Sequence, residues 1–200
     1  MTLKSIGKLL KDTNNYPLNK DWISSSKVSI PFFDHQELPL RIDHSDYSGD
    51  WLLDEIDLAL LNFLRIGTDS QLKLEAAKKA FENWKNFNDD VGYLDGIASY
   101  RSVKNRPEWM ERSLQNCLWL EKLTSPEKVW AYIQPTEIIV TKDRYEKKEG
   151  VFIQILCECT WEEEHGLQIV LKNGNELIRV SDQDGHLFDY YDQDGNPIEE

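Results

Sequence analysis

Two hundred residues with 40% hydrophobic side chains and seven tryptophans are enough to bury a sizeable core. The formal net charge of −13 argues against a generally basic nucleic-acid binder, whose phosphate contacts need clustered Lys and Arg, and disfavours anionic membrane surfaces. No apolar run reaches the roughly 18 residues of a membrane span. Residues 1–10 lack the apolar core and cleavage site of a signal peptide, so the expected location is cytoplasmic.

The chain opens with a lead-in segment, residues 1–26, in which Leu3, Ile6, Leu9 and Leu10 have helical spacing and suggest a short docking helix. A single α+β domain is expected over residues 27–200. Its first element is a hairpin: Lys27 to Phe33 reads as a strand, Asp34 to Glu37 as a turn, and Leu38 to Ile42 as the return. Pro31 and Pro39 suggest edge strands or bulges, since proline cannot donate to a ladder.

A helical middle follows, mainly residues 51–133. Asp50 is a candidate N-cap for a helix over Trp51 to Ile66, with Gly67 as its C′ residue. Thr68 and Gln71 have capping-box spacing for a second helix. Leu74, Ala77, Phe81 and Trp84 form its apolar stripe, and it is expected to end near Phe87. The interleaved Lys73, Glu75, Lys78, Lys79, Glu82 and Lys85 read as a solvated face. Gly92 and Gly96 break the pattern between Asp89 and Asn105, where a long loop is expected. Pro107 is a candidate first helical residue, ahead of a stripe of Met110, Leu114, Cys117 and Leu118. Thr124-Ser125-Pro126-Glu127 starts another helical turn, which Gln134-Pro135 stops.

From Thr136 to about residue 190 the chain reads as a C-terminal antiparallel β-meander. Residues 151–161 alternate with period two and present one strongly apolar face. Lys142 to Gly150 and Glu164-His165-Gly166 read as turns. Asn173-Gly174 is a strong hairpin signal, and Asp184-Gly185 suggests a further hairpin. Helices in the middle and strands at the end make an α+β pattern rather than an alternating one.

The motifs exclude more than they assign. Asp182-Gln183-Asp184-Gly185 and Asp192-Gln193-Asp194-Gly195 resemble part of a calcium loop. A glycine at the sixth position, however, puts Val180 or Tyr190 first, and neither is a ligand. Glu163 and His165 are two metal-capable side chains without the partners that complete a site, so neither a metal nor a cofactor is expected. No nucleophile elbow, phosphate loop or dinucleotide fingerprint is present. Cys117, Cys157 and Cys159 are an odd count and read as reduced core residues.

Two functional readings remain, besides a third in which the chain is a structural module that assembles with itself. The first is a non-enzymatic module that binds a basic protein partner. From Ser181 to Glu200 there are seven acidic residues and no Lys or Arg. Asp182, Asp184, Asp189, Asp192 and Asp194, presented on turns, are the candidate contacts. The second is a hydrolytic enzyme using His165 with a neighbouring carboxylate, Glu164 in the first instance, as acid and base.

Trp161-x-x-Glu164-His165-Gly166-Leu167, Asn173-Gly174 and Val180-Ser181-x-x-Asp184-Gly185-His186 occur in that order. Together with Ile30-Pro31-Phe32-Phe33, Ala59-Leu60-x-x-Phe63-Leu64 and Trp130-x-Tyr132-Ile133-x-Pro135-Thr136-Glu137-Ile138, they resemble an uncharacterised family of small bacterial cytosolic proteins. That family is named for a domain of unknown function. The resemblance covers most of residues 27–188. Because some members accompany polymorphic toxin systems, it implies an immunity protein that inhibits a basic toxin domain.

Overall fold

The computed structural model describes residues 2–8, 10–11, 22–24, 27–43, 51–142 and 149–189. The expected α+β class holds: an N-terminal hairpin, a helical middle and C-terminal antiparallel strands. In chain order the strands before the helices are β1 (Thr2–Leu3), β2 (Gly7–Lys8), β3 (Leu10–Lys11), β4 (Trp22–Ser24), β5 (Val28–Ile30), β6 (Gln36–Leu38) and β7 (Leu40–Asp43). The helices are α1 (Trp51–Phe63), α2 (Gln71–Val91), α3 (Tyr93–Ser102) and α4 (Glu108–Cys117). A 3-10 segment, Pro126–Tyr132, leads into β8 (Ile133–Thr141), β9 (Phe152–Cys159), β10 (Leu167–Lys172) and β11 (Glu176–Asp182).

Seven strands form the main sheet in the order β11-β10-β9-β8-β7-β4-β3. Every neighbouring pair is antiparallel except β7 and β8, which run parallel. The predicted return strand is therefore divided at Pro39. Its first half closes the β5–β6 hairpin, and its second half enters the main sheet beside β8. A missing N–H costs nothing at the point where the chain passes from one sheet to the other.

The helices cover one face of the sheet. Ile153, Ile155, Cys157 and Cys159 of β9 and Leu167, Ile169 and Leu171 of β10 meet Ile56, Leu60, Phe63, Ala76, Ala77, Ala80 and Trp84 in one core. The opposite face is closed at its β9–β11 end by the segment after β11. There Leu187 and Phe188 pack on Phe152, Val170 and Ile178. That return explains why β9 is buried on both faces near its start, not on one alone. It also means that Asp184-Gly185 turns the chain without forming the expected hairpin. Among the described residues no strand follows β11.

Several local expectations are corrected. Residues 2–8 form a two-stranded hairpin, not a docking helix. The carboxylate of Asp57 on α1 accepts the backbone N–H groups of Lys4 (3.0 Å) and Ser5 (2.7 Å), which fixes the turn from outside. Leu9 and the proposed cap Asp50 lie outside the described residues, as do residues 143–148 of the charged turn. Helix α1 ends at Phe63, so Gly67 is not its C′ residue. The N-cap of α2 is Ser70, whose Oγ accepts from the Lys73 N–H, rather than Thr68. Helix α2 continues past Phe87 to Val91, and α3 replaces the expected loop directly after Gly92. Pro107 is the N-cap of α4. Gln134 and Pro135 belong to β8, where a bulge between Pro135 and Glu137 absorbs the proline.

The buried face of α2 is rotated from the expected stripe. Lys73, Ala76, Ala77, Ala80 and Trp84 are buried, while Leu74 is exposed. Lys73 is therefore not on a solvated face. Its Nζ donates to the Phe32 carbonyl (2.6 Å) and stands 5.4–5.7 Å from the ring centroids of Phe32, Phe33 and Trp130. Burial pushes its ammonium below the ordinary lysine value, against the attraction of Asp34 and Asp69. Three small alanines on the same face let α2 come close enough for this one long side chain to reach across.

Candidate functional site

The end of the sheet where β8 begins and β9 finishes is open to solvent. A cleft of about 670 Å³ lies there, walled by residues 131–134 and Thr136, by Glu158 to Thr160, by the turn at Glu162 to Gly166, and by Gln183. Its shape follows from a few bonds. The Tyr132 carbonyl accepts from the backbone N–H (3.0 Å) and hydroxyl (3.2 Å) of Thr160, which ties the end of β9 to the 3-10 segment. Thr136, at the β8 bulge, turns its hydroxyl onto the Leu156 carbonyl (3.1 Å). Gln183 donates its amide to the carbonyls of Cys157 (2.8 Å) and Leu167 (3.3 Å), bridging β9 and β10 at the cleft floor.

The turn carrying His165 is organised by Glu162. One carboxylate oxygen accepts the N–H groups of Glu164 (2.9 Å) and His165 (3.2 Å), and the Gly166 N–H closes the turn on the Glu162 carbonyl (3.1 Å). Gly166 has φ +68°, and a β-carbon there would lie 2.5 Å from the Cys157 carbonyl oxygen and 2.7 Å from the Gln183 amide. Only glycine lets the turn close so tightly on the strand behind it.

His165 stands in the cleft with 63% of its side chain exposed, and its Nδ1 is 3.5 Å from Glu162 Oε1. Its nearest described carboxylate partner is thus Glu162, whereas Glu164 is an exposed residue of the same wall. Glu158, Glu163 and Glu164 are exposed around the rim. Four glutamates line the cleft with one histidine, and no Lys or Arg is among its lining residues. Tyr132 supplies a half-buried ring, supported from behind by Trp119 at 5.1 Å.

Nothing in the walls is primed as a nucleophile. Cys159 is buried, its thiol donates to the Glu162 carbonyl (3.6 Å), and burial pushes it up to about 11. Cys157 is wholly buried and is driven still further from ionisation. The hydroxyls of Thr136 and Thr160 are already committed to backbone carbonyls. Among the described residues no group of three or more metal-capable side chains converges.

Three of the five aspartates expected to present an acidic binding face are drawn into internal bonds. Arg179 of β11, 12% exposed at its side chain, grips both oxygens of Asp184 (2.7 Å each) and reaches Asp189 (2.5 Å). The Gln168 amide and the His186 N–H also donate to Asp184. Burial on its own would raise the Asp184 carboxyl, but these donors, the guanidinium foremost, hold it below the ordinary value. Asp182 accepts from Asn83 (3.0 Å), which in turn accepts from the Trp161 indole (2.9 Å). Asp192 and Asp194 lie outside the described residues. The sequence did signal this: Arg179 stands two residues before the stretch that lacks cations. Glu158, which belongs to no motif, is the one charged residue of an otherwise uncharged strand.

Residues 6–187 match the family described as domain of unknown function, DUF6985, and the chain belongs to that family. No curated protein and no solved structure matches the chain.

Proposed function

We propose that this member of a family of unknown function is a binding protein that receives a positively charged segment of another protein in the cleft beside His165. The observation that carries this reading is the ring of Glu158, Glu162, Glu163 and Glu164 around a concave surface without a lysine or arginine. Carboxylates set in a cleft focus their field, steer a cationic partner to the site and make association salt-dependent. The Tyr132 ring offers the stem of an incoming Lys or Arg an apolar, cation-tolerant wall. The finer reading is an immunity protein of the bacterial cytoplasm that inhibits a basic toxin domain. It rests on the resemblance carried by the Glu164-His165-Gly166 turn, which forms one wall of this cleft. The paired aspartates near Arg179 contribute less, because one guanidinium already holds both and offsets half of their charge.

The test is calorimetric titration with lysine- and arginine-rich peptides and with the product of the adjacent gene, at low and high salt. A complex that weakens as salt rises, and is lost when all four glutamates become glutamine, supports the proposal. Binding that survives the fourfold substitution places the contact elsewhere.

A second reading has one observation in its favour. His165 is accessible in a cleft with a carboxylate oxygen beside Nδ1, as general acid–base chemistry on a water molecule requires. Hydrolysis of a model ester or peptide that disappears in His165→Gln, with binding of basic peptides unchanged, would favour it over the binding role.

A further inference from the structure

Among the described residues the most exposed large apolar side chains are Leu58 and Trp109, at 58% each, and Trp109 stands at the start of α4. Its ring is held edge-on against Tyr100 of α3, with centroids 6.0 Å apart, so the indole is ordered without being covered. Val103, six residues earlier, is also exposed. On the same surface of α4 stand Glu108 and Arg112, which pair with each other at 2.8 Å while remaining 89% and 70% exposed.

Charge decides what can cover this face. Residues 101–112 hold four basic side chains (Arg101, Lys104, Arg106, Arg112) against two acidic ones (Glu108, Glu111), and Arg101 is answered by Glu121 of the neighbouring segment, so this face is close to neutral in a chain whose net charge is −13. A basic partner meets no net negative charge here and is drawn instead to the cleft, whose walls include no residue of α3 or α4. Two copies of an acidic chain repel each other over most of their surfaces, and this stretch adds little to that repulsion.

The helix surface is also complementary to itself. A two-fold crossing of two α4 helices centred one residue beyond Trp109 sets Glu108 of one copy opposite Arg112 of the other, and brings the two indoles together at the axis. Such an interface is isologous and closes after two copies. The pairing between Glu108 and Arg112 within one helix is exposed and worth little. Exchanging it for the same pairing between copies therefore sacrifices little, and burial of the indoles supplies the gain.

We infer that this chain forms a two-fold dimer through α4, with Trp109 at its centre and reciprocal Glu108–Arg112 pairs at its rim.

Sedimentation velocity from low to high micromolar concentration tests this, with circular dichroism as the check on folding. The wild-type chain is expected to pass from monomer to dimer, and Trp109→Ser to remain monomeric. Glu108→Arg or Arg112→Glu alone places like charges face to face and should weaken the dimer about tenfold or more. The double exchange restores opposite charges across the axis and should recover most of that loss, an outcome that general surface damage would not give. A wild-type monomer at every concentration overturns the proposal, as does a dimer indifferent to Trp109→Ser and to the single charge reversals.

Discussion

The carbonyl oxygen of Ala59 lies 1.9 Å from where a β-carbon on Gly174 would stand. The tip of the β10–β11 hairpin is pressed onto the backbone of α1, and Phe63 N is only 3.0 Å from the same point. Gly174 also has φ +79°, which an L side chain adopts at a cost. Gly174→Ala therefore meets strain and overlap together and should destabilise the protein by about 3 kcal/mol or more. Asn173→Ala loses only the amide oxygen that accepts from the Val151 N–H (3.1 Å) and the tolerance for φ +49°, and should cost less, roughly 1–2 kcal/mol. Urea midpoints of the two variants check the order.

Lys73 fills a box of three aromatic rings and satisfies the Phe32 carbonyl. Lys73→Met keeps much of the volume but orphans the carbonyl, at about 1–3 kcal/mol, and Lys73→Ala adds a cavity for a total of about 3–5 kcal/mol. The Met variant should lie clearly between wild type and Ala on denaturation. If the two variants are equally stable, packing of the stem contributes nothing.

Asp57 gives the acid limb its sign. Burial alone would raise its carboxyl, but hydrogen bonds from Ser5 and Lys4 bring it below the ordinary 3.8. A carboxyl lowered by folding binds fewer protons in the native state than in the unfolded one. Its stabilisation is therefore complete above about pH 4 and is lost as pH falls through the lower native value. Asp57→Asn should lower stability at neutral pH by about 1–3 kcal/mol and flatten the loss below pH 4, seen in thermal melts across that range.

Arg179 holds the segment after β11 against the sheet. Arg179→Ala should release residues 183–189, uncovering Phe152 and Val170, and their amides should exchange faster than those of the β8–β9 pair. Arg179→Lys keeps a charge but loses the fork that grips Asp184 on both oxygens. It should fall nearer to Ala than to wild type in the same hydrogen-exchange measurement.

The thiols should report the two sides of the core. Cys157 and Cys159 are buried and resist ionisation, whereas Cys117 is half-buried on α4. A thiol reagent at pH 8 should modify Cys117 first, and all three cysteines only in guanidinium. Rapid modification of Cys159 in the native protein would reopen a cysteine mechanism at the cleft.

What the sequence made legible was local. Asn173-Gly174 announced its hairpin because both residues tolerate positive φ. The helices over 51–63 and from residue 71 onward followed from apolar periodicity. What it concealed was tertiary. The leucine spacing at the N-terminus suited a helix, yet a carboxylate more than fifty positions away takes up the amides of a turn there. Gly92 and Gly96 looked like breakers, but Gly92 only separates two helices, and Gly96 is carried within α3 by the packing of Ile97 and Tyr100. His165 could be picked out from its neighbours. Its surroundings could not, because Glu158, Tyr132 and Gln183 reach the cleft from separate segments.

The parallel pairing of β7 and β8 has a further consequence. It consists of Leu40, Ile42 and Arg41 beside Ile138, Val140 and Ile139, with the Arg41–Glu137 ion pair at one side. The β8 flank of this seam is built from strands consecutive in the chain and the β7 flank skips only the β5–β6 hairpin, but the seam itself joins residues almost a hundred positions apart, with α1 to α4 between them. Contacts so distant form late, because the closure entropy of the intervening chain must first be overcome. Strands β3 and β4 reach the rest of the sheet only through this narrow join. The protein should therefore open as a zip does, from the N-terminal strands to the seam, while the meander behind it stays closed.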